Sequence, residues 1–169
     1  NIISWPDFEL DIKSLASSYP DYECSRLVNL ISDRENISPS RILFTNGINE
    51  AIFLLANLSA GQETGILQPC YSEYKRAFPD SHEVFDINDA GRFNNFILVN
   101  PNNPTGLYIN NLSELITSYP DTRFVIDEAY IDFLIDDSKR ERLCDFENVI
   151  ILRSLTKIFH LSGVRIGYV

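Results

Sequence analysis

The sequence predicts an α/β fold, a three-layer sandwich in which helices cover both faces of a mostly parallel sheet of about seven strands. Short apolar runs without polar interruption recur along the chain, as expected for strands that are buried on both faces of a sheet. Segments with the apolar spacing of helices alternate with these runs, and glycine, proline and asparagine separate them. The 169 residues, of which 44% are hydrophobic, are enough for one sizeable core.

Local patterns place each element in order. A helical pattern at residues 23–33 precedes the first apolar run at 41–44, which is predicted to be a buried strand. The pair Asn46-Gly47 interrupts the chain before a second helical pattern at 50–58. Two more helices and six more strands complete the prediction, the helices near 72–78 and 112–118 and the strands at 65–67, 84–85, 96–99, 124–126, 149–152 and 164–168. The chain shows no repeat or linker, so we predict a single domain over residues 1–169.

Composition and charge argue against several classes of protein. The chain carries 14 basic and 24 acidic residues, a net charge of −10, whereas nucleic-acid backbones select basic surfaces. Three widely separated cysteines and two histidines show no spacing of a metal site or a disulfide framework. Reduced thiols, together with the lack of a signal peptide or long apolar span, predict a cytoplasmic protein with no nucleic-acid or membrane partner.

Polar residues come at or just after the ends of three predicted strands. They are the run NPNNPTG at residues 100–106, Asp127, and the run SLTK at residues 154–157. Ligands of such sheets bind at the carboxyl ends of the strands, where these segments converge. A generic sheet with polar loops would not require a lysine, an acid and an asparagine at these places.

Lys157 is the candidate nucleophile. A lysine amine must be neutral to attack an aldehyde, and nearby positive charge or desolvation lowers its pKa; Arg153 and Arg165 occupy the same segment. The alternative is a solvated surface lysine. The hydroxyl groups of Ser154 and Thr156 and the guanidinium of Arg165 favour a functional site, because such groups bind phosphate.

The start of the second helix offers further anion-binding groups. The backbone N–H groups of Ile48 and Asn49, which follow Gly47, are free at a helix start, where the helix dipole also favours an anion. A plain N-cap by Asn46 or Asn49 is the alternative interpretation.

The remaining polar residues meet the needs of one cofactor, pyridoxal phosphate (PLP), whose ring nitrogen stays protonated beside a carboxylate. Asp127 is the candidate acid and Glu128 its rival, while Tyr130 can donate a hydrogen bond to the phenolic oxygen of the ring. Asn103 can do the same, although turn-building alone also explains its run. The aromatic segment PCYSEY at residues 69–74 offers a ring for stacking, with core packing as the alternative.

Over residues 19–168 the chain resembles the class I/II aminotransferase family of fold type I PLP enzymes, in the branch of histidinol-phosphate aminotransferase and threonine-phosphate decarboxylase. The resemblance implies that Lys157 joins the cofactor covalently and moves the Cα proton. It also implies cofactor contacts: Asp127 to the ring nitrogen, Asn103 and Tyr130 to the phenolic oxygen, Tyr71 stacked on the ring, Ser154, Thr156, Arg165 and the amides of Ile48 and Asn49 to the phosphate, and Tyr19 to the phosphate of a neighbouring subunit. The role of Tyr19 implies a homodimer.

Within this branch the motifs divide. The runs SLTKIF at 154–159, IDF at 131–133 and GL at 106–107 look more like the decarboxylase, whereas Tyr130 looks more like the aminotransferase. We expect a PLP-dependent aminotransferase that acts at Cα of a small phosphorylated amino compound, with a decarboxylase as the alternative. A PLP-free binding domain without activity is a further alternative, because a fold does not fix a function.

The resemblance covers only the large domain of the family. The small C-terminal domain, with the arginine expected to hold the substrate carboxylate, has no counterpart in this sequence, and the N-terminal arm is shortened. The chain contains no methionine and stops within a predicted strand. We therefore expect it to be part of a longer protein.

Overall fold

Seven strands form one continuous sheet in the computed structural model, which describes residues 11–134 and 140–169. The strands are β1 (Phe44–Asn46), β2 (Thr64–Leu67), β3 (His82–Val84), β4 (Asn95–Val99), β5 (Arg123–Asp127), β6 (Val149–Ser154) and β7 (Ile166–Tyr168). Their order across the sheet is β1-β7-β6-β5-β4-β2-β3.

The sheet is parallel except at β7. Strands β2 to β6 pair in parallel, and β7 lies antiparallel between β1 and β6. The predicted mostly parallel sheet of seven strands is therefore confirmed. Because the parallel strands share one direction, their carboxyl ends meet at one edge of the sheet.

Helices lie on both faces of the sheet. They are α1 (Ile12–Ala16), α2 (Ser25–Glu35), α3 (Ile48–Leu58), α4 (Ser72–Ala77), α5 (Leu112–Ser118) and α6 (Leu155–Ile158), with short 3-10 helices at Pro39–Arg41, Ile87–Arg92, Ile131–Phe133 and Leu143–Asp145. Within the described ranges, no helix combines the length and the apolar character that crossing a membrane requires.

Alternate residues of the central strands fill two separate cores. Ile97 and Val125 pack with α3 and α4 on one face, whereas Phe96 and Phe124 pack with α5 on the other. This alternation follows from the two-residue period of a strand. It makes the molecule three-layered, as the sequence predicts.

Strands β1 and β7, at one edge of the sheet, begin later in the chain than predicted. The run at 41–44 is not a buried strand, because β1 begins only at Phe44 and Leu43, which precedes it, is 58% exposed. The predicted strand at 164–168 begins at Ile166 instead, since Arg165 has a φ of 56° and Val164 is 59% exposed. A left-handed residue cannot continue an extended strand.

Candidate active site

A single pocket at the carboxyl ends of the strands brings together every predicted site residue except Tyr19. It lies beside the start of α3 and the start of α6. Its lining consists of Gly47, Ile48, Asn49, Tyr71, Val99, Asn103, Asp127, Ala129, Tyr130, Ser154, Thr156, Lys157 and Arg165. The predicted convergence of separate segments at one sheet edge is therefore present.

Asp127 lines the pocket and is the last residue of β5. Its carboxylate is 2% exposed and accepts two hydrogen bonds, from the Tyr74 hydroxyl to Oδ2 at 2.8 Å and from the Ala129 N–H to Oδ1 at 2.9 Å. Burial raises the pKa of Asp127, while these two donors and the charge of Lys157 act in the opposite direction. The result is a buried acid with a positive group nearby.

Glu128 and Arg153 do not line this pocket. Arg153 Nη2 lies 2.6 Å from Glu128 Oε2 in a buried ion pair. Arg153 is on the same face of β6 as Ile151, which packs against the core that contains α5. Residues of β6 alternate between faces, so Arg153 and Ser154 point in opposite directions. The expectation that Arg153 acts on Lys157 is therefore wrong, and of the two candidate acids only Asp127 reaches the pocket.

Donor groups for an anion also line the pocket. Ser154 and Thr156 are buried, and their hydroxyl oxygens lie 2.7 Å apart. The Arg165 guanidinium and the first residues of α3, Ile48 and Asn49, complete the set. No side chain caps the start of α3, which leaves its first N–H groups available to an anion.

Two glycines allow this close approach, and the sequence interpretation assigned a role to neither. A Cβ atom at Gly47 would lie 2.8 Å from Arg165 Nη2, and one at Gly167 would lie 2.8 Å from the backbone nitrogen of Ile48. Gly47 also has a φ of 71° and a ψ of 163°, a conformation that only glycine adopts readily. A glycine directly before a predicted helix, such as Gly47, or within a strand that packs against the start of that helix, such as Gly167, is the sequence feature that could have indicated this role.

Lys157 lines the same pocket. It belongs to α6, directly after β6, and its Nζ is 5.8 Å from the centre of the Tyr130 ring. The same Tyr130 lines the pocket together with Asn103. An amine, a phenol and an amide are thus gathered around one space.

The loop that carries Asn103 is held by its neighbours. Asn100 bonds the backbone of Ile109 through both its amide groups, at 2.8 and 3.0 Å. Asn102 accepts a hydrogen bond from the Thr105 hydroxyl at 2.8 Å and donates one to the Pro69 carbonyl at 2.8 Å. The asparagine-rich run therefore builds a turn, and Asn103 of this turn lines the pocket. A contact of its amide with a cofactor stays a prediction.

Tyr71 and Tyr74 bring the start of α4 to the pocket. Tyr71 lines it, and Tyr74, three residues later, lies beneath with its ring at 6.5 Å and 83° to the Tyr71 ring. Tyr74 is fully buried and contacts the acid, Asp127. It is absent from the predicted site, because a buried aromatic residue at helical spacing is indistinguishable in sequence from a core residue.

Tyr19 lies outside the pocket, with 88% of its surface exposed. Its predicted role concerns the pocket of a second subunit, and that role stays a prediction.

The pocket chemistry fits PLP. A flat ring with a basic nitrogen needs an acid at one end, and a phosphate needs hydroxyls, a guanidinium and free backbone N–H groups at the other. Asp127 supplies the first, and Ser154, Thr156 and Arg165 supply the second. The Lys157 amine lines the same pocket.

Comparison with known proteins agrees with the resemblance. The model of the family described as aminotransferase class I and II matches residues 9–169. Histidinol-phosphate aminotransferase of Staphylococcus epidermidis is 32% identical over 174 residues, which cover 89% of this chain and 50% of that protein. The enzyme of the same name from Pseudoalteromonas atlantica is 31% identical over 96% of this chain and 49% of its own length. The chain thus spans about half the length of these curated relatives.

Solved structures give the same result. L-threonine-O-3-phosphate decarboxylase from Porphyromonas gingivalis superposes with a TM-score of 0.82 and 25% identity, over 93% of this chain and 53% of that one. Histidinol-phosphate aminotransferase from Sinorhizobium meliloti, solved in complex with pyridoxal-5'-phosphate, gives a TM-score of 0.80 and 25% identity, over 93% and 50%.

Proposed function

We propose, since the chain belongs to the aminotransferase class I and II family, that it forms the PLP-binding large domain of an aminotransferase. The observation that carries this proposal is the one pocket that gathers a buried acid, a set of anion-binding groups and a lysine. The histidinol-phosphate aminotransferase that was solved with pyridoxal-5'-phosphate supports the choice of cofactor.

Each residue has a defined task in this proposal. PLP, when bound, supplies an aldehyde that joins to amines and a ring that draws electrons from the bonds at Cα of the substrate. Lys157 would hold the cofactor through its amine and, once the substrate amine has replaced it there, would be the base that moves the proton at Cα. Asp127 keeps the proton on the ring nitrogen, because an ionised carboxylate there favours the charged ring.

The other residues bind and orient. Asn103 and the Tyr130 hydroxyl donate to the phenolic oxygen, and Tyr71 packs against the ring. The phosphate binds to the hydroxyl groups of Ser154 and Thr156, the guanidinium of Arg165 and the N–H groups of Ile48 and Asn49, residues that all line the pocket. Phosphate, phenolic oxygen and ring nitrogen are then held at three separate points, which fixes the ring in one orientation.

The proposed substrate is a small phosphorylated amino compound such as histidinol phosphate, which gives its amino group to a 2-oxo acid. The two relatives named above, both histidinol-phosphate aminotransferases, support it. A threonine-phosphate decarboxylase-like activity is the second candidate, favoured by the superposition on the Porphyromonas gingivalis enzyme.

The full chain tests these proposals directly. It should bind PLP with a visible absorption band, and borohydride should fix the cofactor mass on Lys157. Incubation with histidinol phosphate and 2-oxoglutarate should then yield glutamate, whereas release of carbon dioxide from threonine phosphate would assign the decarboxylase activity instead. A protein that neither colours with PLP nor gains mass would be a binding domain without PLP chemistry, and the proposal would be wrong.

We also propose a cytoplasmic homodimer in which Tyr19 reaches the pocket of the second subunit. The exposure of Tyr19, 88%, supports this assignment because its aromatic ring is free to meet a partner. Sedimentation of the full chain tests the dimer. A Tyr19→Phe variant with unchanged affinity for PLP would contradict the role of the hydroxyl.

A further inference from the structure

Tyr74 has a fully buried side chain with one polar atom, and that atom contacts the proposed acid. Its hydroxyl donates a hydrogen bond to Asp127 Oδ2 at 2.8 Å, between residues that are 53 positions apart in the chain. Burying a hydroxyl is costly unless it is paired. A phenylalanine would fill the same apolar space without that cost, so the hydroxyl invites a functional explanation.

We propose that Tyr74 is a positioning residue that orients the Asp127 carboxylate toward the ring nitrogen of the cofactor and keeps it ionised. This inference rests on the proposed function, because it gives Asp127 a partner for its task. With Ala129 N–H bonded to Oδ1 at 2.9 Å and Tyr74 bonded to Oδ2, each carboxylate oxygen has one fixed donor. Two donors on different oxygens prevent rotation of the carboxylate plane.

The same turn of helix also links the acid to the stacking ring. Tyr71 precedes α4 and lines the pocket, and Tyr74 follows three residues later on the same side of the helix. Their rings meet edge to face at 6.5 Å. Residues of one helical turn therefore set both the face on which the cofactor ring would rest and the direction of the acid.

The groups that surround Asp127 explain why the hydroxyl affects its charge. Lys157 of α6 and the Cys70 thiol of the loop before α4 both lie near enough to the carboxylate to interact with its charge. Burial raises the pKa of the Cys70 thiol, so that group stays neutral. Burial likewise raises the pKa of Asp127, whereas Ala129, Tyr74 and Lys157 lower it. Removal of the Tyr74 hydroxyl must therefore raise the pKa of Asp127 further.

The test is Tyr74→Phe in the full chain, with cofactor binding measured by titration calorimetry at several pH values. Loss of a hydrogen bond to a charged group should weaken PLP binding about tenfold at neutral pH. The acid side of the binding profile should also move to higher pH, because the carboxyl group of the variant takes up its proton earlier. Tyr119→Phe is the matched control, since the Tyr119 hydroxyl also makes one bond, to the Asn88 carbonyl at 2.9 Å, away from the pocket.

A cofactor analogue in which CH replaces the ring nitrogen separates positioning from simple packing. Tyr74→Phe should bind this analogue as well as the unsubstituted protein does, because the affected contact is missing in both. Equal losses for PLP and for the analogue would overturn the inference and leave Tyr74 a core residue. An unchanged pH profile would overturn it too.

Failure of the two proposals can be told apart. If the unsubstituted full chain does not bind PLP, the proposed function and this inference fall together. If it binds PLP and Tyr74→Phe behaves like Tyr119→Phe, only the inference falls. Tyr74→Leu, which also lacks the donor, replaces Tyr74→Phe should that variant fail to fold, with the same expected and contradicting results.

Discussion

Gly47 leaves room for the guanidinium of Arg165, so Gly47→Ala tests the proposal that Arg165 binds the cofactor phosphate. The added Cβ would lie 2.8 Å from Arg165 Nη2, where ordinary contacts begin at 3.4 Å. The guanidinium must therefore move by about 0.6 Å (3.4 − 2.8 Å), which is enough to break a well-formed hydrogen bond to a phosphate oxygen.

The substitution should affect stability and binding for different reasons. Alanine in the backbone conformation of Gly47, φ 71° and ψ 163°, should lower the free energy of unfolding by about 1–3 kcal/mol. Displacing the guanidinium costs little stability because a flexible side-chain end gives way. It should, however, remove a charge-assisted contact worth about 1.5–3 kcal/mol, which weakens PLP binding roughly 10- to 150-fold.

Denaturant unfolding and calorimetric binding measure the two effects separately. Gly61→Ala is the control, since Gly61 also has a positive φ, of 77°, but its added Cβ would meet nothing within 4 Å. That variant should lose stability and keep its affinity for PLP. Pyridoxal, which lacks the phosphate, should bind Gly47→Ala as well as it binds the unsubstituted protein. Equal weakening for PLP and pyridoxal would refute the assignment of Arg165 to the phosphate.

Three further variants test other parts of the pocket. Lys157→Ala should abolish turnover and borohydride-fixed mass while leaving the fold intact, whereas Lys75→Ala, which removes an exposed amine bonded to a backbone carbonyl, should change neither. Asp127→Asn should keep PLP bound but slow turnover by roughly 10- to 150-fold, if the lost charge-assisted contact is worth about 1.5–3 kcal/mol; a near-normal rate would end its assignment. Burial raises the pKa of Asp127, so between the unfolded pKa and the raised folded pKa this carboxyl group ionises more readily in the unfolded chain. The free energy of unfolding of the apo protein should therefore fall as pH rises through that window, and denaturant unfolding of apo Asp127→Asn should show a smaller fall. Asn102→Ala, which cuts the bond to the Pro69 carbonyl, should weaken PLP binding through the loop that carries Asn103, and unchanged affinity would show that the loop holds its shape alone.

The central strands were predictable because their environment is uniform. Residues 96–99 and 124–126 are buried on both faces, so their apolar runs are unbroken and their positions are correct. The edge of the sheet was not predictable in this way. Leu43 lies in an apolar run but is exposed just before the outermost strand, and only pairing with β7 decides where β1 begins.

The convergence of the pocket residues was predictable, and some of their surroundings were not. Polar residues after buried strands identify Asp127 and Lys157, since all such ends meet at one edge. The error on Arg153 was avoidable, because its neighbour Ser154 points to the pocket and strand residues alternate. Tyr74 was beyond sequence reasoning, because its hydroxyl meets an acid 53 positions away and its ring is an ordinary core residue in every local respect.

The insertion of β7 between β1 and β6 affects the order in which the protein folds during synthesis. Asn46 pairs with Ile166, a separation of 120 residues (166 − 46), so contacts of this kind form slowly and late. Arg165 and the start of α3 become neighbours only through this pairing. During synthesis, the central strands of the nascent chain can pair early. The groups that would bind the phosphate come together only after β7 has emerged from the ribosome. We therefore expect coenzyme capture to follow synthesis of this segment, never to precede it.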